Sequence, residues 1–151
     1  MKHAFTISES VFINASAARI WKALTDPAEV KQYLFNTEMS ADWKVGGSIR
    51  YRGIWEGKSY EDKGTILEIK PEKLLKSTYY SQFSGLEDRP ENYNTVVYKL
   101  DKNNGRTKLT VTQNNIPTKE SAVHSSKNWH MVLEKLKDVV EHSSMKKGEV
   151  A

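Results

Sequence analysis

The sequence predicts an α+β fold, with an antiparallel sheet that carries its helices on one face. Two observations predict it. A run of alternating, β-rich segments occupies the middle of the chain, from SIRYRGIW to RTKLTVTQ. Helical periodicity is confined to the ends, as two short helices after the first strand and one long helix after the last. Strands segregated from helices in this way argue against alternating βαβ units. The simplest packing for such strands is an antiparallel sheet with the helices on one face.

Residues 4–14, AFTISESVFIN, open as a strand in which Phe5, Ile7, Val11 and Ile13 share a parity that Glu9 interrupts. Ser16 is placed to cap a helix whose Ile20, Trp21 and Leu24 recur at helical spacing. Asp26-Pro27 ends that helix and opens a second, AEVKQYLF, because proline fits a first helical position. SIRYRGIW, YEDKGTILEI and LLKSTYYSQF then read as strands, with a turn at Pro71-Glu72 and a polar loop, SGLEDRPENYN, after them. TVVYKL and RTKLTVTQ form a hairpin across DKNNG, where Asn104-Gly105 is the turn pair. Beyond Pro117 the period becomes helical. Trp129, Val132, Leu133, Leu136, Val139 and Val140 stripe the second half of that helix, whereas Ser121, Ala122, Ser125 and Ser126 leave its first half small or polar. A half-length stripe predicts incomplete contact with the sheet and a hollow beneath the other half. HSSMKKGEVA reads as a fraying tail.

The 151 residues suit one domain able to bury a core. The net charge of +4 is spread along the chain, and no block of five basic residues occurs, so no nucleic-acid partner is expected. The absence of cysteine excludes disulfides and thiolate metal sites. The N-terminal segment lacks an apolar core, and no run approaches the roughly 18 apolar residues of a membrane span, so a soluble, cytoplasmic protein is expected. His124 and His130 are not spaced as a ligand pair, and HExxH is absent, so no metal is expected. No GxSxG, Walker or GxGxxG motif occurs, and Gly46-Gly47 precedes a strand, so no phosphate cradle and no cofactor is expected. Glu56, Glu61 and Asp62 read as a solvated turn, and Glu9 as an edge or rim position.

Alternation places Ile49, Tyr51, Gly53 and Trp55 on one strand face and Arg50, Arg52 and Ile54 on the other. With the arginines in solvent, the aromatic set faces the helix, and Gly53 leaves a gap between Tyr51 and Trp55. Tyr98 and Val111 belong to the inner faces of the last two strands, and Gln113 is an inward polar group. Tyr33 and Trp43 from the N-terminal half, with Ala122, Ser125 and Trp129 from the long helix, complete the expected lining. An apolar, aromatic enclosure with few polar groups suits a small molecule. No catalytic constellation stands out.

ASAARIWKALTDPAEVKQYL, ADWKVGGSIRYRG, KGTILEIKPEKLL, GRTKLTVTQNNIP and NWHMVLEKLKDVVE, in this order, resemble the activator-of-heat-shock-protein-90-ATPase homologue-like family of the START-like (SRPBCC, birch-pollen-allergen-like) superfamily. The likeness spans nearly the whole chain. Trp43, Gly46 and Gly47 match the family's Trp-x-x-Gly-Gly element. The resemblance implies a helix-grip fold: a curved antiparallel sheet of about six or seven strands around the C-terminal helix, with a cavity between. It implies a single START-like domain over 1–142 and a flexible tail over 143–151. Two positions depart from the pattern. Asn128 stands where many relatives carry glycine, and Gln113 where many carry His or Glu, so a neutral amide there argues against acid–base work at that residue.

The expected function is binding of a small hydrophobic or amphipathic molecule between the sheet and the C-terminal helix, without catalysis. One alternative is an enzyme of cyclase, aromatase or hydrolase type using the same cavity. Another is a co-chaperone of the heat-shock protein 90 system, with a chaperone as partner. The oligomeric state is left open.

Overall fold

The computed structural model describes residues 4–150, with side chains over 4–142. In chain order the elements are β1 (Phe5–Ile13), α1 (Ala17–Thr25), α2 (Pro27–Tyr33), β2 (Glu38–Ala41), β3 (Ser48–Trp55), β4 (Lys58–Lys70), β5 (Leu74–Tyr79), β6 (Asn94–Asn103), β7 (Arg106–Ile116) and α3 (Lys119–Val150). The strands form one curved sheet in the order β1-β7-β6-β5-β4-β3-β2, and every neighbouring pair is antiparallel. This is the helix-grip arrangement. The tail expected over 143–151 falls outside the residues whose side chains are described.

Local chemistry starts each helix. Ser16 Oγ accepts a hydrogen bond from Arg19 N at 3.1 Å, and Asp26 Oδ1 accepts from Ala28 N at 3.0 Å, so α1 and α2 meet in an elbow with a side-chain cap at each start. Thr118 Oγ1 accepts from Ser121 N at 3.0 Å at the start of α3. Asn104 and Gly105 both take positive φ, 50° and 84°, as the tight hairpin between β6 and β7 requires.

Two elements differ from the sequence expectation. β2 is only four residues long, too short to show a period, and lies at the sheet edge against β3. LLKSTYYSQF does not stay a strand throughout. It leaves β5 after Tyr79, and Ser81 caps a 3₁₀ turn over Gln82–Ser84 by accepting from Phe83 N at 3.1 Å. A serine there offers the backbone a bond that competes with the ladder.

Gly46-Gly47 makes the bend into β3. Gly46 has φ of +85°, and a Cβ on Gly47 would lie 1.9 Å from the Asp42 carbonyl oxygen. The bend is pinned on both sides, because Gly46 N donates to Ile66 O and Ile66 N donates to Gly47 O, each at 2.8 Å.

The core lies between the sheet and the helices. Ile13, Ile20, Leu109, Leu133, Leu136 and Val140 are fully buried there. The second half of α3 supplies the last three, as its stripe requires. α3 packs chiefly on β1 and also touches β7, α1 and α2. The region over β3–β5 is thereby left to the α1–α2 elbow.

Candidate functional site

An apolar space lies under that elbow. Leu24, Val30, Tyr33 and Leu34 form its roof, and Met39, Ile49, Tyr51, Leu75 and Tyr98 from four strands form its floor. Its volume is about 10 Å³, room for about one water. A site that encloses a drug-sized molecule spans roughly 300–1,000 Å³, so this one is closed in the present conformation.

Of the residues expected to line a hollow, Tyr33, Ile49, Tyr51 and Tyr98 meet here. Val111, Gln113, Ala122, Ser125 and Trp129 do not line this space, because α3 contributes nothing to it and β7 lies too far along the sheet. Trp129 instead packs inward at the start of the apolar stripe of α3. Its ring stands edge-on to Tyr98 at 5.8 Å between centroids, and its Nε1 donates to Gln113 Oε1 at 2.7 Å. Gln113 thus spends its carbonyl on holding Trp129. Ala122 is buried, Ser125 is half-buried, and Val111 is fully enclosed in the core.

Trp43 is half-buried against the core, outside this lining. Trp55 is 53% exposed at the β3–β4 tip, beyond the reach of the helices. The gap at Gly53 is filled by Tyr60, its cross-strand partner. A Cβ on Gly53 would come within 2.6 Å of the Tyr60 hydroxyl, which is itself 2.7 Å from Thr37 Oγ1. Glycine there admits a tyrosine rather than a ligand.

The polar groups of the site come from five side chains. Tyr33 spends its hydroxyl by donating to Ala23 O at 2.9 Å. Tyr79 stands edge-on to Tyr51, 6.0 Å between centroids, and donates its hydroxyl to Asp62 Oδ2 at 2.6 Å. Asp62 is only 7% exposed, and its Oδ1 is shut from solvent without a partner among the described residues. Burial pushes the Asp62 carboxyl above the ordinary range, while the Tyr79 hydroxyl, the Ser81 hydroxyl and the Gln82 backbone N–H each favour the charged form. Burial, and then the Asp62 charge, raises the Tyr51 phenol. Tyr98 is raised well above its usual range by burial and then by its neighbours Tyr51, Tyr33 and Tyr79. All of these phenols are therefore neutral hydrogen-bonding groups at neutral pH.

Asp62 corrects the expectation of a solvated turn. The Glu56-Gly57 turn is so tight, with φ of 49° and 80°, that β4 begins at Lys58 and Asp62 sits well inside the strand, opposite Tyr51. Its parity is that of the buried Gly64 and Ile66. Glu61 takes the other face, where Arg50 Nη1 pairs with it at 2.6 Å and Arg52 Nε also binds it. Asp62 and Tyr79 were missed as site residues. A two-residue turn at Glu56-Gly57 is the signal that would have found Asp62, because counting rungs from it brings Asp62 opposite Tyr51. Glu9 lies on the edge strand β1 with its side chain 28% exposed, and Ser126 Oγ donates to its Oε2 at 2.7 Å.

Among the described residues, no group of three or more His, Asp or Glu side chains is placed to hold a metal ion, and no helix is long and apolar enough to cross a membrane.

Comparison with known proteins adds the relatives. The chain is similar to ChR145 from Cytophaga hutchinsonii, a solution structure, at 36% identity over 93% of this chain and 97% of that one, with a TM-score of 0.81. The Aha1 dimer from Colwellia psychrerythraea shares the fold at 21% identity, over 91% and 96% of the two chains, with a TM-score of 0.72. CalU16 from Micromonospora echinospora does so at 21% identity, over 95% and 80%, with a TM-score of 0.69. No curated protein sequence matches the chain. The family model described as Activator of Hsp90 ATPase homolog 1-like protein matches residues 14–141. The chain therefore belongs to the Activator of Hsp90 ATPase homolog 1-like family.

Proposed function

We propose that the protein binds a small amphipathic molecule, without catalysis, between the concave face of the sheet and the helices that cover it. The observation that carries this reading is unspent polarity in an apolar space. Tyr51 and Tyr98 both line the space, and neither hydroxyl takes part in the side-chain hydrogen bonds that fix Tyr33 and Tyr79 among the described residues. Both side chains are half-buried, and neither oxygen is tied to another group of the protein, so each is available to a ligand's polar end. A ligand with an apolar body and a polar end satisfies both. The closed volume means that it enters by displacing the roof. α2 is only seven residues long, and the turn after it carries two positive φ angles, at Phe35 and Asn36, so this is the short segment that yields.

Chemical-shift mapping on the isotope-labelled protein, with a panel of single-chain alcohols and flat polycyclic compounds, tests the reading. The expected result is saturable shifts at the amides of Tyr33, Ile49, Tyr51 and Tyr98 and at the Trp129 indole. The reading fails if no compound moves these signals, or if shifts are confined to the exposed Ile54, Trp55 and Phe83.

One observation favours a second reading, acid–base chemistry of cyclase, aromatase or hydrolase type in the same space. The Asp62–Tyr79 pair is a buried carboxyl held at 2.6 Å by a phenol, and burial raises that carboxyl above the ordinary carboxylate range. Turnover of a polyketide or ester probe that disappears in Asp62→Asn, with binding retained, would select this reading over simple binding.

A further inference from the structure

Asp62 lacks what four other carboxylates possess. Glu29, Glu61, Glu68 and Asp88 each lie against an arginine or lysine. Among the described residues no cation lies within ion-pair distance of Asp62, although it is more deeply buried than most of these. Tyr79 holds one oxygen, the Ser81 hydroxyl and the Gln82 backbone N–H also favour the carboxylate, and Oδ1 makes no well-aligned hydrogen bond among the described residues. A buried anion without a counter-charge is unfavourable, and a ligand that supplies the charge relieves it. The surroundings favour a cation in a second way. Tyr51 and Tyr79 meet edge to face beside the carboxylate, and aromatic faces attract cations.

Tyr51 joins this carboxylate to the apolar space. It lines the space on one side and faces Asp62 across β3–β4 on the other. From these contacts we infer that the ligand is an amphiphile whose polar end is a protonated amine, its chain under the α1–α2 elbow and its ammonium beside Asp62 Oδ1 and Tyr51. A primary ammonium has three N–H donors and no acceptor. Asp62 Oδ1, shut from solvent beside the Tyr51 ring, is the acceptor it meets. An alcohol brings no charge to offset that of Asp62, and a carboxylate or phosphate end is repelled by it.

This inference rests on the binding reading above, and the test separates the two. Decylamine, decanol and decanoate are titrated below their aggregation concentrations into the whole chain at neutral pH. The readouts are calorimetry and the shifts of Tyr51, Tyr98 and the Trp129 indole. Decylamine is expected to bind at least about tenfold more tightly than decanol, with decanoate weakest. Asp62→Asn keeps an acceptor for Tyr79 and is expected to bring the amine-to-alcohol ratio close to unity. Asp62→Ser gives the same comparison should the Asn variant fold poorly, folding being checked by circular dichroism. Equal affinity for amine and alcohol in the wild type, or an amine advantage that survives in a folded variant, overturns the inference and leaves the binding reading standing. If none of the three compounds binds, both fall.

Discussion

Single atoms decide three positions. At Gly47 an added Cβ meets a backbone carbonyl at 1.9 Å, and backbone cannot step aside. Gly47→Ala is therefore expected to destabilise the fold by about 3 kcal/mol in urea denaturation. At Gly53 the obstacle is the end of a tyrosine side chain, which can move at the price of its contact with Thr37. Gly53→Ala is accordingly expected to lose only about 1 kcal/mol. If the two variants are equally stable, the distinction between backbone and side-chain obstruction is wrong. At Asp62 the issue is charge. Burial raises its carboxyl in the folded state, so the folded chain holds a proton to higher pH than the unfolded chain, whose Asp titrates near about 3.9. Stability from this group is present below that range and falls as pH rises through the folded value. The stability of wild type minus that of Asp62→Asn should therefore fall with rising pH above about 4, with a slope of at most about 1.4 kcal/mol per pH unit. Urea melts from acid to neutral pH measure it, and a difference that grows with pH would mean that the ionised carboxylate stabilises the fold.

Elements were legible where chemistry marks their ends. Ser16, Asp26-Pro27 and Asn104-Gly105 each declare a boundary through a cap or a turn geometry that few residues supply. Ser16→Ala should lower stability by about 1 kcal/mol, read by thermal or urea melts, because Arg19 N loses its acceptor. β2 has no such marks, and its four residues hold their place by pairing Met39 with Tyr51. α3 shows both behaviours. Its second half advertised its packing through the apolar stripe, whereas its first half was expected to stand off the sheet. That first half meets the sheet through the buried Ala122 and the Ser126–Glu9 bond, and Trp129, which opens the stripe, packs on Tyr98 and Gln113. Trp129→Phe keeps an aromatic edge for Tyr98 but strands the Gln113 carbonyl, and should lose about 1 kcal/mol, with the Tyr98 ring signals reporting any loosening.

At the scale of the molecule, the sheet joins the first strand to the last, with Phe5 opposite Ile116, and the two short helices are the roof over the strands that α3 does not reach. A ligand that binds only the folded chain must therefore stabilise the whole, by about 2.7 kcal/mol at a free concentration of 100 times its dissociation constant. A thermal melt that does not move under those conditions counts against binding in this space. The sequence by itself determined the fold class, the helix positions, the hairpins and the inward parity of Ile49, Tyr51, Tyr98 and Val111, because capping, turn chemistry and alternation are local. Only the tertiary structure decided which inward residues share a space. Tyr33, Tyr51 and Tyr98 come together because the elbow folds over β3–β6, and Trp55 leaves because the sheet outruns its helical cover. Asp62 enters because the β3–β4 register sets it opposite Tyr51, and Tyr79 because β5 ends beside it. Such meetings depend on register and on which helix covers which strand, and neither is encoded within any short stretch of chain.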